Sequence, residues 1–384
     1  MIPRRILPAI VVSQFAGTSL WFAGNAVISD LQTSLDLAAE SVGWITNAVQ
    51  LGFIAGTLIF AFFSFADRFS PVRIFLLCSI IGGIFNLGIL ISENLFSLLA
   101  FRFLTGFFLA GIYPVGMKIA ASWYKESLGK ALGWLVGALV IGTSFPHLVK
   151  GLHFSPDWQW VIILVSIVAI SGGLVIYFLV PDGPLTGRTS SFRFNVLAKA
   201  FQSKDFRSAA FGYFGHMWEL YTFWAFTPVL IQYYAQQHPL PVSTPVLSFI
   251  TIGIGGVGCI LGGLISIKKG SARVAFAMLL TSGLCCLFSV FIIEFPTPLF
   301  FFFLMIWGFS VVGDSPQFST LTAMTAPPEY VGTGLTIVNS IGFAITIISI
   351  SLVNSGSGFI DFKYLFLLLL PGPIFGLWSI RKLV

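Results

Sequence analysis

The sequence has little charge and is rich in apolar residues. Asp, Glu, Lys and Arg make up 9% of its 384 residues, whereas hydrophobic residues make up 57% and the mean hydropathy is +0.95. A soluble domain carries about 25% charged residues. A water-soluble fold could not bury so much apolar surface, so the composition excludes an ordinary soluble domain and predicts a chain surrounded by lipid.

Cysteines and nucleotide-binding motifs are also scarce. The four cysteines lie in apolar runs, and their spacing is that of neither a zinc site nor a disulfide framework. We interpret them as small packing residues and expect no bound metal or other cofactor. The sequence contains no P-loop, so we do not expect ATP to be the energy source.

The basic residues give a net charge of +6 but form no long stripe. They are distributed over short loops, and no run is long enough to follow a phosphate backbone, so we expect no nucleic-acid partner. Arg4 and Arg5 precede an apolar stretch, as basic residues do in a signal peptide. Because this stretch continues past Trp21, an uncleaved first membrane helix is favoured.

Twelve apolar segments of about twenty residues are each long enough to cross a hydrocarbon core of about 30 Å as a helix. They predict an all-α membrane protein with twelve transmembrane helices in two six-helix bundles. The predicted spans 1 to 12 lie at residues 7–29, 41–62, 72–92, 95–122, 129–149, 158–180, 206–234, 245–267, 272–293, 297–324, 332–354 and 363–380.

The loop charges predict the orientation. With the N-terminus in the cytoplasm, nearly all loop Lys and Arg residues fall on the cytoplasmic side, and only Lys150 and Lys363 fall outside. An even number of spans then places both termini in the cytoplasm, and we expect a monomer in a bacterial inner (plasma) membrane. The polar segment 183–204 is predicted to be a cytoplasmic linker between bundles 1–182 and 205–384.

The two halves of the sequence resemble each other. The loop DRFSPVR at 67–73 is matched about 200 residues later by IKKGSARV at 267–274, and GIYP at 111–114 is matched by GDSP at 313–316. The offset is nearly constant, and the matched segments occupy equivalent positions among the spans. Internal repeats with a binding site at their interface are typical of secondary transporters.

Several segments resemble the Major Facilitator Superfamily of transporters, and the resemblance extends over essentially the whole chain. They are ADRFSPVR at 66–73, RFLTGFFLAG at 102–111, YKESLGKALG at 124–133 and DWQW at 157–160. The resemblance implies two bundles that alternate access to a central site lined by spans 1, 4, 7 and 10. It also implies that a contact of the loop charges Asp67, Arg68 and Arg73 holds the inner gate shut.

The sequence departs from the family pattern at several positions. Phe63 and Ser70 stand where the loop motif has glycines, and Pro71 and Val72 precede a displaced Arg73. Span 5 lacks the Gly-Pro pair that the resemblance associates with drug/proton antiporters, and spans 2 and 8 carry no arginine, unlike the nitrate-transporter branch. These departures disfavour both branches, although drug or metabolite efflux by proton antiport remains an alternative.

Two ionisable residues lie deep in span 7. His216 and Glu219 are ten to thirteen residues into the span, roughly 15–20 Å at 1.5 Å per residue, and their spacing places them on one helix face. A carboxylate facing lipid there costs a few kcal/mol or more, so the pair should face the protein interior. We interpret it as a proton site. A structural hydrogen-bonded pair and two ligands of a metal site are the alternatives.

Charged and polar residues in spans 4 and 10 complete the predicted pathway. Arg102 needs an anion or a water-filled path because its guanidinium stays charged, and the resemblance implies a part in proton transfer or anion contact; a structural ion pair is the alternative. Asp314 and Gln317 flank Pro316, and Pro114 is its counterpart in span 4. Prolines weaken the local helix, and broken helices at repeat positions are where transporters build sites.

Aromatic residues surround the span 7 pair. Trp218, Tyr221 and Trp224 have rings that could line a solute pocket with their polar edges as handles, although core packing is the commoner role of any single aromatic residue. The predicted pathway therefore comprises eight residues besides the two prolines. They are Arg102, His216, Trp218, Glu219, Tyr221, Trp224, Asp314 and Gln317.

We therefore predict a secondary active transporter that moves a small solute together with protons by alternating access. Charges of both signs in the predicted cavity favour an anionic or zwitterionic solute. Metal-ion transport is an alternative, and a polytopic membrane enzyme would use the span 7 pair as acid and base. An enzyme would hold these groups near an interface and would have a long polar loop, and the sequence has neither. The expected partners are a solute, protons and the bilayer.

Overall fold

The computed structural model describes residues 2–124, 128–152, 157–184, 201–326 and 331–384, apart from the side chains of Asp67, Leu128 and Val331. The chain divides into two compact units, Met1–Phe192 and Arg193–Val384. Every regular element in the described ranges is helical. Most of the predicted linker (185–200) and part of the loop 124–133 (125–127) lie outside the described residues.

Unit 1 contains ten α-helices in the part that the structure describes. They are α1 (Ile6–Thr18), α2 (Ala23–Ala26), α3 (Ile28–Ser34), α4 (Ser41–Phe62), α5 (Phe65–Arg68), α6 (Pro71–Leu87), α7 (Leu95–Leu109), α8 (Tyr113–Trp123), α9 (Leu128–Gly151) and α10 (Gln159–Leu179). A 3-10 turn, Gly88–Ile91, continues α6. The predicted spans 2, 3, 5 and 6 correspond to α4, α6, α9 and α10.

Unit 2 contains eight α-helices in its described ranges. They are α11 (Lys204–Ala235), α12 (Thr244–Lys269), α13 (Ser271–Phe288), α14 (Thr297–Gly313), α15 (Ser315–Thr325), α16 (Val331–Gly356), α17 (Phe362–Leu365) and α18 (Pro371–Ile380). The 3-10 turns Ser289–Glu294 and Phe366–Leu369 extend α13 and join α17 to α18.

Ten helical segments in the described ranges are long and apolar enough to cross a membrane. The predicted spans 1 and 7 are not among the ten. Span 1 was predicted as one helix, but α1, α2 and α3 divide it, and α1 has only 13 residues. Span 7 is the 32-residue α11, whose polar and aromatic residues lower its mean hydropathy. The structure is therefore an all-helical membrane protein in which the least apolar long helix begins unit 2.

The helices of the two units pair in the same order. In unit 1, α1 packs on α9 and α10, α4 packs on α7, and α6 packs on α10. In unit 2, α11 packs on α16 and α18, α12 packs on α14, and α13 packs on α14 and α18. The internal repeat predicted from the loops is thus also present in the packing of the membrane helices.

Glycines bring two helix pairs into backbone contact. On α4, a Cβ added to Gly52 would fall against the carbonyl oxygen of Phe103, and on α7 a Cβ added to Gly106 would fall against that of Val49. In unit 2, Gly308 on α14 faces the Thr251 carbonyl in the same way. Small residues at helix crossings allow this approach in membranes, where dispersion contacts drive association. The sequence analysis did not use such crossings, although the four-residue spacing of Gly52 and Gly56 on α4 and of Gly258 and Gly262 on α12 was visible.

Spans 4 and 10 each consist of two helices. In span 4, α7 ends at Leu109 and α8 begins at Tyr113, so that Pro114 is the second residue of α8. In span 10, Asp314 alone separates α14 from α15, and Pro316 is the second residue of α15. Proline is tolerated in a first helical turn because its missing N–H would have no intrahelical acceptor there.

The loop between α4 and α6 has a defined local structure. Ser70 caps α6, because its Oγ accepts the backbone N–H of Arg73, and Pro71 is the first helical residue. The same hydroxyl donates to Asp182 Oδ1 at 2.8 Å. The Ser-Pro pair that departs from the family's loop motif therefore forms a helix start and a link to the end of unit 1.

The predicted gating residues lie beside this loop. Arg68 ends α5 and is exposed, as is Arg73 in the first turn of α6. The side chain of Asp67 lies outside the described part of the chain. Lys118 on α8 donates to the backbone carbonyl of Ala66 at 2.7 Å, so this lysine connects the end of span 4 to the loop.

We expect Gly106→Ala and Gly308→Ala to destabilise the protein. Each added methyl group meets a backbone carbonyl that no side-chain rotation can move, and overpacking costs about 1–3 kcal/mol or more. Gly129→Ala and Gly332→Ala are matched controls, because both glycines are helical and have open space around them. Melting temperatures of the four purified variants test this, and equal values would contradict the role of the crossings.

Candidate functional site

The centre of α11 carries two buried ionisable side chains. Glu219 is the sixteenth residue of this 32-residue helix, roughly 23 Å from either end at 1.5 Å per residue. His216 and Glu219 are each about 1% exposed. Ser203 caps the start of the helix, because its side chain accepts the N–H of Phe206, and the negative charge of Asp205 in the first turn stabilises the same end. A long, capped helix thus holds both groups deep in unit 2.

Three donors from two other helices surround the Glu219 carboxyl group. Trp307 Nε1 of α14 donates to Oε1 at 2.8 Å, and Cys286 Sγ of α13 lies 3.3 Å from the same oxygen. Ser282 Oγ of α13 donates to Oε2 at 2.9 Å. Because a buried carboxylate without partners is very costly, these donors offset part of the desolvation of the ionised form.

The same partners also suit the protonated form of Glu219. Ser282 Oγ lies 3.2 Å from the carbonyl oxygen of Leu279 as well as 2.9 Å from Glu219 Oε2. If Oε2 carries a proton, it can donate to Ser282, whose own hydrogen then turns to Leu279. Trp307 can only donate, and it binds Oε1 in either state. The site therefore accommodates gain or loss of one proton without leaving the carboxyl group unpaired.

His216 binds a different carboxylate. Its Nδ1 lies 2.9 Å from Asp314 Oδ1, in the break between α14 and α15, and both side chains are at most 1% exposed. The imidazole ring lies between the rings of Tyr213 and Phe318, with centroid distances of 5.9 and 5.7 Å. Within the described residues, His216 Nε2 and Asp314 Oδ2 have no hydrogen-bond partner. The pair can hold one or two protons, with net charges of −1 and 0.

The structure thus divides the predicted His216–Glu219 pair. Helical spacing placed the two residues on one face, but their side chains reach different neighbours: Asp314 for His216, and α13 and α14 for Glu219. The sequence analysis missed Ser282, Cys286 and Trp307. Ser282 and Cys286 are four residues apart on α13, so one polar face in an otherwise apolar span was the available signal.

Arg102 donates hydrogen bonds to backbone carbonyls within unit 1. Its Nη1 donates to the Leu20 carbonyl at 3.2 Å and its Nη2 donates to the Trp21 carbonyl. Nη1 also donates to Asn86 Oδ1 at 3.2 Å. These carbonyls lie in the interval between α1 and α2, where helical hydrogen bonding is interrupted. No carboxylate of the described residues forms an ion pair with the guanidinium, so Arg102 stabilises the broken first span.

Asn86 connects this arginine to a third helix. Its Oδ1 accepts from Arg102, and its Nδ2 donates to Ser166 Oγ on α10 at 2.9 Å. Ser166 in turn donates to the Ile162 carbonyl at 2.8 Å. Every polar atom of the Asn86 side chain is therefore used, and α6, α7 and α10 are held around the break in span 1.

The three predicted aromatic residues of α11 face different surroundings. Trp218 is half-buried and donates from Nε1 to the Leu368 carbonyl at 2.9 Å, so it packs towards the last span. Tyr221 is buried and contacts Trp224 and Phe343 at centroid distances of 5.1 Å each. These contacts favour packing for Trp218 and leave Tyr221 and Trp224 in one aromatic cluster.

Gln317 lies one turn into α15, three residues after Asp314, and is 2% exposed. Gln317 and Asp314 both lie at the start of the second half of span 10. The described residues contain no group of three His, Cys, Asp or Glu side chains placed to hold a metal ion.

Comparison with known proteins gives a consistent result. The sequence profile of the Major Facilitator Superfamily matches residues 9–350. A solved bacterial homolog of the human lysosomal transporter Spinster, in an inward-facing and unoccupied conformation, aligns with a TM-score of 0.70 at 16% identity, over 99% of this chain and 94% of that one. At this identity the likeness shows the fold.

Curated relatives match at low identity. A bicyclomycin resistance protein homolog from Haemophilus influenzae is 23% identical over 85% of this chain and 83% of its own length. An MFS-type transporter from Macrophomina phaseolina is 25% identical over 70% of this chain, which spans 59% of that protein. The niacin transporter NiaP of Acinetobacter baylyi is 31% identical over 38% of this chain and 37% of its own length.

We expect Arg102→Lys to lower the stability of the folded protein. One ammonium group cannot reproduce the planar fork that reaches two carbonyls and Asn86, and each buried acceptor left unpaired costs about 1–3 kcal/mol. The melting temperature should therefore fall, whereas that of Arg4→Lys, a change at an exposed arginine, should not. A melting temperature equal to that of the wild type would contradict the structural role of Arg102.

Proposed function

Since the chain belongs to the Major Facilitator Superfamily, we propose that it couples the movement of a small solute to the movement of protons. The family consists of transporters, so the chain is a membrane transporter of a small molecule and not an enzyme. The coupling ion and the identity of the solute are the parts that we propose. They rest on the ionisable groups in the interior of unit 2.

The arrangement around Glu219 carries the proposal of proton coupling. Its partners satisfy the carboxyl group whether or not it is protonated, because Ser282 can donate to it or accept from it. A carboxyl group with a purely structural role has no need of a reversible partner. A group that gains and loses a proton in each transport cycle does need such a partner. An unpaired carboxyl group would raise the free-energy barrier between the protonated and ionised states.

The His216–Asp314 pair supports the same proposal. It lies in the interrupted helix of span 10, and discontinuous helices are where secondary transporters place ions and substrates. A second proton would change its net charge from −1 to 0. We propose that this pair and Glu219 exchange the transported proton. We also propose that proton uptake lowers the free energy of the conformation in which the site is open to the other side of the membrane.

For the solute, we propose an organic anion or zwitterion of small size. Arg102 is a buried cation without a carboxylate partner in the described part of unit 1, so a positive charge remains there to favour an anion at longer range. One relative is named for niacin and another for pantothenate, both of which are organic acids. From the loop charges we also propose that both termini lie in the cytoplasm. We propose a monomer in a bacterial inner (plasma) membrane as the working unit.

Proton-driven efflux is the second candidate. The H. influenzae relative, which is matched over 85% of this chain, is named for resistance to bicyclomycin. The same proton site would serve efflux if protons and solute moved in opposite directions. The sign of the pH gradient that drives solute accumulation in proteoliposomes distinguishes this candidate from symport.

We expect the infrared spectrum to show a protonated-carboxyl C=O band on acidification that Glu219→Gln removes. The variant amide can accept from Trp307 and donate to Ser282, so the fold is kept while the proton site is lost. This measurement needs no knowledge of the solute. Glu294→Gln, at an exposed position, is the matched control and should keep the band.

In proteoliposomes with an imposed pH gradient, addition of nicotinate or pantothenate should cause proton movement with the wild type and none with Glu219→Gln. If Glu219→Gln keeps both the infrared band and full proton movement, Glu219 is not the proton site. If neither acid nor bicyclomycin moves protons in the wild type, the proposed coupling itself is wrong.

We expect Asp314→Asn to abolish pH dependence of transport while preserving the folded protein. The amide oxygen can still accept from His216, but the amide cannot ionise, so the pair can no longer carry its net charge of −1. Flux should lose its dependence on an imposed pH gradient, and the melting temperature should change little. Asp36→Asn is a suitable control, because Asp36 is exposed and asparagine tolerates its positive φ of 49°.

A further inference from the structure

We propose that unit 1 contains a subsite for a flat, hydrogen-bonding ring, formed by the side chains of Gln14, Trp21, Gln50, Phe53 and Tyr113. This inference rests on the proposed transport function, because it assigns the part of the solute that unit 1 recognises. The subsite takes an aromatic or heteroaromatic ring whose edge presents a donor beside an acceptor. The argument depends on three observations within unit 1.

The first observation is an aromatic cluster at the break in span 1. The ring of Trp21 lies 4.8 Å from that of Phe53 on α4 and 6.4 Å from that of Tyr113 on α8, and the last two are 6.5 Å apart. The backbone carbonyl of Trp21 accepts a hydrogen bond from Arg102. Two helices and the interrupted segment of span 1 thus hold three large rings in one place, which is the apolar part of a ring-binding site.

The second observation concerns two buried amides beside these rings. Gln50 Oε1 accepts the indole N–H of Trp21 at 3.3 Å, but Gln50 Nε2 has no partner among the described residues. Neither atom of the Gln14 amide has one, although this side chain is completely buried. Buried amides are normally paired, and leaving them unpaired is costly. Asn86 in the same unit, with all its polar atoms used, shows the usual arrangement.

The third observation places the amides and rings on one strip. A Cβ on Gly116 of α8 would fall against Gln14 Oε1, so the glutamine lies directly on this helix. Tyr113 is three residues earlier on α8 and therefore on the same face. Gln14 lies on α1, and Trp21 lies seven residues later in the break that follows this helix. The strip accordingly runs from the Gln14 amide to the ring cluster and the Gln50 amide.

The chemistry of this strip defines the ligand class. A primary amide offers one acceptor and two donors, so Gln14 can bind a neighbouring donor and acceptor on a ring edge, and Gln50 Nε2 can bind an acceptor. None of the five side chains is ionised, so the strip recognises the neutral ring of the solute. The ionisable groups that we assign to protons lie in unit 2. Ring recognition and proton coupling therefore reside in different halves of the chain.

Ligand-induced stabilisation of the full-length protein in detergent tests this assignment. The probes are two ring compounds, uracil and benzamide, and their saturated counterparts, dihydrouracil and cyclohexanecarboxamide, which keep the hydrogen-bonding edge but are not flat. We expect the ring compounds to raise the melting temperature and the saturated ones to leave it unchanged. If neither ring compound shifts it, or if the saturated compounds shift it equally, the proposal is wrong.

Substitutions separate a ligand-binding amide from a structural one. Gln14→Met should abolish the shift caused by uracil and benzamide without lowering the melting temperature of the unliganded protein, because it removes an unpaired amide. Asn86→Leu should lower that temperature, since Asn86 is fully bonded. Gln236→Met, at an exposed position, should change neither value. A Gln14→Met variant that retains the shift, or that is destabilised as Asn86→Leu is, contradicts the proposal.

The proposed ring subsite and the proposed proton site can be refuted independently of each other. Glu219→Gln should keep the shift caused by uracil and benzamide, because Glu219 lies in the other unit. A shift that depends on Gln14, together with an infrared band that does not depend on Glu219, would leave the ring subsite standing and overturn the proton site. A Glu219-dependent band without any ring-specific shift would do the reverse.

Discussion

A carboxyl group in the interior of a membrane protein must find hydrogen-bond partners, and this requirement organises unit 2. Glu219 lies at the middle of α11 and is about 1% exposed, and Trp307, Ser282 and Cys286 supply its donors. The three helices that carry these groups must keep their register if the contacts are to persist. Backbone contacts at glycines, such as that between Gly308 and Thr251, maintain the packing of α14 on α12.

The two units share a plan but differ in their interiors. Helices pair in the same order, and close glycine crossings recur, since the same backbone arrangement is built twice. Unit 1 uses its buried cation, Arg102, to hold the carbonyls of a broken helix, whereas unit 2 buries the carboxyl groups of Glu219 and Asp314. Duplicated architecture with divergent interiors allows one half to bind a solute and the other to respond to protons, which is the division that we propose.

Much of the fold could be predicted from the sequence. Apolar length predicts most spans, because the bilayer sets the length of a crossing helix, and Pro114 and Pro316 mark the two places where spans 4 and 10 are divided. The division of span 1 was not predicted. Nothing in its apolar pattern records that Arg102, more than eighty residues away in the chain, binds the carbonyls of Leu20 and Trp21.

The sequence by itself determined that costly ionisable residues lie at depth in spans 4, 7 and 10, because hydropathy and helical rise fix depth without knowledge of neighbours. Only the tertiary structure decided their partners. Helical spacing places His216 beside Glu219, yet His216 binds Asp314 and Glu219 binds α13 and α14. The physical reason is that a side chain on a helix reaches outwards to adjacent helices, so its hydrogen bonds depend on packing between segments distant in the chain.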